Sequence, residues 1–177
     1  GVAGIIRKPR KQQIPEPRDP EFAKLLKSGR CILLSAELGL TVPVICIVIY
    51  GWTGGRTNAT ARQRTDCLLA AAFRECACHH HGPCIIMGDV NDDISKLHCF
   101  DNICNNGWAD LGAISCTWGG IDNLGTCQPP NADSITRNDY IFVNEYVLPF
   151  VKKFYVEWDI NIPTHAITGF ELCITEQ

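Results

Sequence analysis

An α/β fold is the architecture this sequence predicts, and three observations predict it. The run Cys84-Ile85-Ile86-Met87 is entered by Gly82-Pro83 and left by Gly88, so it reads as a short buried strand. A second β-rich run, Val42 to Ile49, precedes it, and between the two lies Thr57 to Cys78, whose apolar residues recur at helical spacing. Strand, helix, strand is the order that packs a helix on a sheet face. With 177 residues, 46% of them apolar, residues 1–177 make one globular domain with enough chain for a sizeable core.

Taken in order, Gly1-Val2-Ala3-Gly4-Ile5-Ile6 looks like a strand already in progress. Because the first residue is not Met, the reading is that of a fragment whose start lies upstream. Asp19-Pro20-Glu21, followed by Phe22, Leu25 and Leu26 and closed by Gly29, has the capping acid, first-turn Pro and terminal Gly of a short helix. Cys31-Ile32-Leu33-Leu34 and the Val42 run flank Glu37-Leu38-Gly39-Leu40 and predict a hairpin. In the long helix, Ala61, Leu68, Leu69, Ala72, Phe73 and Cys76 make the buried stripe, and Arg62, Arg64, Asp66 and Glu75 fall elsewhere. Ile94 to Cys104 reads as a second helix through Leu97, Phe100 and Cys104, ended by Asn105-Asn106-Gly107. Trp108-Ala109-Asp110-Leu111 is a short strand, residues 112–138 are loop-like, and Asp139 opens a buried strand through Ile141-Phe142-Val143. Val151 to Trp158 is another strand, and the stretch from Asn161 enters a last one in which Phe170, Leu172 and Ile174 alternate.

Composition sets further bounds. The formal net charge is -3, yet residues 1–30 carry eight of the sixteen Lys and Arg against three acids. Arg7, Lys8, Arg10 and Lys11 can meet nucleic-acid phosphates or form a solvated basic loop. No apolar run reaches a membrane-spanning length and no leader pattern opens the chain, which points to an intracellular, membrane-free protein, with the nucleus among its compartments. Eleven cysteines are an odd count. Cys31, Cys46, Cys84 and Cys173 occupy positions where Val or Ala would serve, so the expectation is unpaired thiols in a reducing compartment. The cluster Cys76-Ala77-Cys78-His79-His80-His81-Gly82-Pro83-Cys84 lacks the paired spacing of structural zinc sites and falls at a helix C-terminus, where histidines suit the negative dipole end.

The polar residues that end or open strands carry the chemistry. Asp89 and Asn91 stand just past a buried strand behind Gly88, either as a site or as an Asx turn. Tyr50 leaves its strand into Gly51-Trp52-Thr53-Gly54-Gly55, either to bond an oxyanion or to cap the core. Asp139 and His165 open theirs. If the two pairs of strands run antiparallel, Tyr50, Asp89, Asp139 and His165 share one rim. A carboxylate to activate water, His and Tyr to stabilise phosphate oxygens, and a bound Mg²⁺ are the equipment of phosphoryl chemistry.

The series Tyr50-Gly51, Ile86-Met87-Gly88-Asp89-Val90-Asn91, Trp118, Arg137-Asn138-Asp139-Tyr140-Ile141 and Pro163-Thr164-His165 resembles the endonuclease/exonuclease/phosphatase superfamily, in the manner of apurinic endonucleases and non-LTR retrotransposon endonucleases. The resemblance covers nearly the whole chain, motifs in family order. It implies a DNase I-like, four-layer α/β sandwich of two sheets flanked by helices, here lacking its first strands. It implies that Asp89 orients or deprotonates the attacking water, that Asn91 helps position the phosphate with Tyr50 close by, and that His165 contacts the scissile phosphate with Asp139 as its partner. It places Trp118 and Arg137 in the substrate groove, with core packing the alternative for Trp118. The implied cofactor is Mg²⁺ or Mn²⁺, weakly bound, because Thr164 stands where the family has an acidic ligand and the strand carrying the principal metal-binding Glu would lie upstream of Gly1; Thr53 likewise stands where an Asn is common. The implied partner is nucleic acid, DNA before RNA, for a monomer or a segment of a larger polyprotein. Two functions follow: metal-dependent phosphodiester hydrolysis by a retroelement-type endonuclease, or a catalytically dead relative that keeps the fold and binds nucleic acid.

Overall fold

The computed structural model describes residues 2–4, 11–79, 82–130, 132–159 and 163–173. Its main sheet has six strands in the order β1-β2-β3-β4-β6-β5, and a second sheet pairs β7 with β8. The hairpin forms as the apolar runs demand: β2 (Cys31–Ala36) and β3 (Val44–Tyr50) are antiparallel, with Cys31 opposite Ile49. β1 (Gln12–Gln13) adds two residues to its edge. α2 (Ala59–Cys78), capped by the Asn58 side chain, carries the chain back so that β4 (Cys84–Asp89) lies parallel to β3. β6 (Asp139–Asn144) runs antiparallel to β4, and β5 (Trp108–Asp110) pairs with β6. β7 (Val151–Glu157) and β8 (Ile167–Leu172) form the small antiparallel sheet.

Side-chain parity explains why the central strands are apolar throughout. Ile47 and Ile49 of β3, Ile86 of β4 and Phe142 of β6 face one core with Phe22, Leu68, Leu69 and Ala72 from the helices. The alternate residues Val44, Ile85, Ile141 and Val143 face a second core closed by Val151 and Phe154 of the small sheet. Both faces of the large sheet are covered, which removes the polar alternation of a half-exposed sheet. The order of layers is therefore helices, six-stranded sheet, two-stranded sheet: among the described residues α1 (Pro20–Leu26), α2 and α3 (Cys99–Asn105) all pack on the first core.

α1 has the expected cap, with the Asp19 carboxylate accepting the Phe22 amide at 2.8 Å. The helix expected over Ile94–Cys104 is instead two pieces. The Asp93 side chain caps a 3₁₀ turn at Ile94–Lys96, Leu97 then turns extended (φ -88°, ψ 133°) to bury its side chain, and α3 starts afresh at Cys99. β3 begins two residues later than expected, since Val42 is exposed and Pro43 brings no amide to the ladder. Of the expected first strand, Gly1, Ile5 and Ile6 lie outside the described residues, and Val2–Gly4 have no strand structure. Arg7, Lys8, Arg10, His80, His81, Asn161, Ile162 and Ile174 lie outside them too. All eleven cysteines are free thiols, and burial pushes the Cys46 thiol up to about 12. Among the described residues no helix is long and apolar enough to cross a membrane.

Candidate active site

Strand register gathers the polar strand ends. Tyr50 is the register partner of Asp89 across the parallel β3–β4 pair, and Asp89 is the partner of Asp139 across the antiparallel β4–β6 pair. Register partners project from the same face, here the face that parity assigns to the second core. The three side chains thus form a row at the end of the gap between the sheets, beyond the last apolar layer. His165 arrives from just before β8, where Cys127 bridges it to the 126–136 loop, and its Nδ1 lies 2.9 Å from Asp139 Oδ2.

Asp89 is held by Asn91. The Asn91 amide donates to Asp89 Oδ1 at 2.8 Å and its Nδ2 donates to Asp89 Oδ2 at 2.9 Å, with the other Nδ2 hydrogen on the Gly51 carbonyl at 3.3 Å. This is the Asx-turn geometry, and it is also an orienting device, because both carboxylate oxygens are fixed. Asn91 sits at φ +56°, a left-handed conformation that Asn tolerates better than most residues. Both Nδ2 hydrogens are engaged in this arrangement, in which Asn91 holds the Asp89 carboxylate. Gly88 makes the close approach possible: at φ +143° a Cβ there would collide with the Ile49 carbonyl. Burial pushes the Asp89 carboxyl up to about 6 and the Asp139 charge adds to the shift, against the pull of Asn91 and His165.

Asp139 has a second holder that the sequence did not reveal. Thr126, 1% exposed, donates to Asp139 Oδ2 at 2.7 Å and accepts the amides of Asn138 and Asp139 at 3.1 and 3.0 Å. A Thr in a loop thirteen positions away carries no pattern that would single it out. Thr164, at φ +74°, is a β-branched residue in a conformation such residues avoid. Its carbonyl accepts the Gln128 amide at 2.8 Å, so the strained turn pins the His165 segment against the 126–128 loop. Thr53 lies in an exposed turn.

Two expected groove residues do other work. The Arg137 guanidinium is clamped in a bidentate pair with Asp110, bonds Asn123 Oδ1 at 2.9 Å and lies 4.3 Å over the Tyr140 ring, with its side chain only 9% exposed. Through these bonds Arg137 braces the β5–β6 end. Trp118 ends a 3₁₀ turn, Ser115–Trp118, and packs half-buried against the second core, the alternative left open for it. A cavity of about 660 Å³ lies at the opposite rim, by Cys84, Asn144, Phe73 and Trp108, and includes none of the row. Charge and hydrogen bonding, rather than enclosure, mark the rim that carries the row.

Among the described residues, one group offers converging metal ligands: Asp89, Asp139 and His165, whose donor atoms lie within 4.8 Å of one another. Two carboxylates and an imidazole fit a divalent cation that keeps several waters. The Cys76–Cys84 stretch yields no such group among the described residues; His79 is instead bound to Glu75 at 2.7 Å.

The architecture, a six-stranded sheet and a two-stranded sheet with helices outside, is consistent with a DNase I-like fold. No family model and no curated protein matches the sequence. Among solved structures, the endonuclease domain of TRAS1, a telomere-specific non-LTR retrotransposon, superposes with a TM-score of 0.65 at 11% identity, over 97% of this chain and 73% of that one. The 3′ phosphatase NExo from Neisseria, bound to a product DNA hairpin, gives 0.60 at 17% identity over 95% and 72%. The catalytic domain of Xenopus laevis APE2 gives 0.56 at 17% over 89% and 61%. At such identities the likeness is one of fold.

Proposed function

We propose that this chain hydrolyses phosphodiester bonds in nucleic acid with a divalent cation, Mg²⁺ or Mn²⁺, at the rim formed by Tyr50, Asp89, Asn91, Asp139 and His165. The observation that carries the reading is the Asp89–Asp139 register pair with His165 bonded to Asp139. Asp89, fixed by Asn91 and with a carboxyl near 6, takes a proton from water at neutral pH. The water oxygen forms a bond to phosphorus, the ester P–O bond breaks, and the leaving oxygen is protonated from solvent. His165 donates to a phosphate oxygen through Nε2 while Asp139 holds Nδ1, and Thr126 holds Asp139. Tyr50 supplies a phenol on the same row. A cation held by Asp89 and Asp139 would add charge stabilisation at the phosphate, with His165 left to the phosphate oxygen.

The test is Mg²⁺- or Mn²⁺-dependent cleavage of a labelled oligonucleotide duplex by the chain and by Asp89→Ala. Cleavage in the first and its loss in the second is the expected result; equal rates reject the reading. The alternative is a non-catalytic nucleic-acid-binding relative, favoured by Thr164, which offers no carboxylate. Thr164→Asp separates the two: it adds an acid on a left-handed backbone that Asp accepts more readily than Thr, and should raise the metal-dependent rate.

A further inference from the structure

The row at the rim extends one strand further than the reacting groups. Across the antiparallel β2–β3 pair the residue opposite Tyr50 is Arg30, whose carbonyl accepts the Tyr50 amide at 2.8 Å. The order across four strands is Arg30, Tyr50, Asp89, Asp139, at about 4.8 Å per strand. The Arg30 guanidinium lies over two rings, 4.7 Å from the Trp52 centroid and 5.3 Å from that of Tyr50. Its Nη1 is fixed on the carbonyls of Tyr50 and Gly51 at 3.3 and 2.8 Å. That Gly51 carbonyl also receives the Asn91 side chain that holds Asp89. Among the described residues Nε and Nη2 have no hydrogen-bond acceptor and no carboxylate lies within 4.0 Å, whereas Arg62, Arg74 and Arg137 are each paired with an acid.

A rigid guanidinium without a counter-charge, with one edge anchored and the other open, is built for a planar two-point contact with an oxyanion. The geometry points to Arg30 as the residue that binds a second phosphate of the substrate chain, the one flanking the bond under attack. About two strand spacings separate it from Asp89, so it stands beside the reaction centre rather than in it. This rests on the hydrolytic reading and sharpens it: a site with a built place for a neighbouring phosphate selects a polynucleotide over an isolated phosphate ester. Trp52 and Tyr50 act as the platform that keeps the guanidinium flat.

Binding tests this apart from turnover. In the Asp89→Ala background with EDTA, anisotropy of a short fluorescein-labelled duplex is titrated at several salt concentrations. Arg30→Gln should weaken binding roughly tenfold to a hundredfold and lower the salt slope by about one. Unchanged affinity and slope overturn the proposal. With Asp89 intact, Arg30→Gln should depress kcat/KM on the oligonucleotide about tenfold more than on bis(p-nitrophenyl) phosphate, which has a single phosphate; equal losses overturn it. Should Arg30→Gln unfold, Arg30→Lys keeps the charge and loses the fork, and is expected to bind several-fold more weakly at unchanged salt slope; wild-type affinity there rejects the two-point contact. A wild-type chain without Asp89-dependent cleavage but with Arg30-dependent binding would reject the hydrolytic reading and leave Arg30 in place.

Discussion

Asp89 is a carboxylate kept where its charge is disfavoured, and that has a stability consequence as well as a chemical one. Its carboxyl, pushed up to about 6 from an ordinary 3.8, holds in the folded state a proton the unfolded chain has lost. Stability therefore falls as pH rises from about 4 to about 6, and the deficit persists above that range. Asp89→Asn should abolish the rim's chemistry yet melt higher than the wild type at pH 8 in EDTA, by roughly 2–4 °C for each kcal/mol recovered from the buried charge and its repulsion by Asp139; a lower melting temperature would contradict this. Thr126 makes the reverse prediction. Removing its hydroxyl leaves the Asn138 and Asp139 amides without their acceptor and frees Asp139 to turn from His165. Thr126→Val should cost about 1–3 kcal/mol in chemical denaturation and lower kcat more than it raises KM, and Thr126→Ser should restore both. Without that rescue, the effect of Thr126→Val belongs to packing.

Among the elements, α2 does more than cover the sheet. Glu75, 0% exposed, accepts the Arg18 amide at 3.0 Å and the Asp19 amide at 2.6 Å and meets His79 at 2.7 Å. One buried carboxylate thereby ties the segment before α1 to the end of α2. Glu75→Ala, which strands these donors, should destabilise the chain by about 3–5 kcal/mol, and Glu75→Gln by less, as read from denaturant midpoints. The neighbouring Asp19 is opposed by its own burial, but the Phe22 amide and the Arg74 guanidinium outweigh it and hold the carboxyl below its ordinary value. Its contribution is present above the unfolded pKa near 3.9 and is lost as pH falls below that, so an Arg74→Met variant should lose less stability between pH 5 and pH 2 than the wild type. By helical spacing Glu75 falls off the apolar stripe of its helix, as an acid should, yet it is buried. Burial by partners from another segment leaves no periodic trace. The broken Ile94–Cys104 helix was hidden for a similar reason, since Leu97 fits a helical stripe and an extended buried turn equally well.

For the whole molecule, local pattern carried a great deal. The hairpin, the long helix, α1 with its cap, and the polar ends Tyr50, Asp89 and Asp139 were readable because apolar runs with breakers determine where strands stop. The partners that fix these groups were not, since Thr126, Arg30 and the Asp110 that claims Arg137 meet them only through register and loop packing. The eleven thiols extend the same logic of position: titration under denaturing, non-reducing conditions should find nearly all of them reactive, and a count of one or three would refute it. The rim is assembled from positions 30, 50, 89, 139 and 165, strand ends scattered over most of the sequence. Local pairings such as the β2–β3 hairpin can close early, whereas the Asp139–His165 contact must await the loop that bridges Cys127 to both Thr136 and His165. Rim geometry is accordingly among the last things this fold acquires, since it is complete only when the 126–136 loop has joined Asp139 to His165.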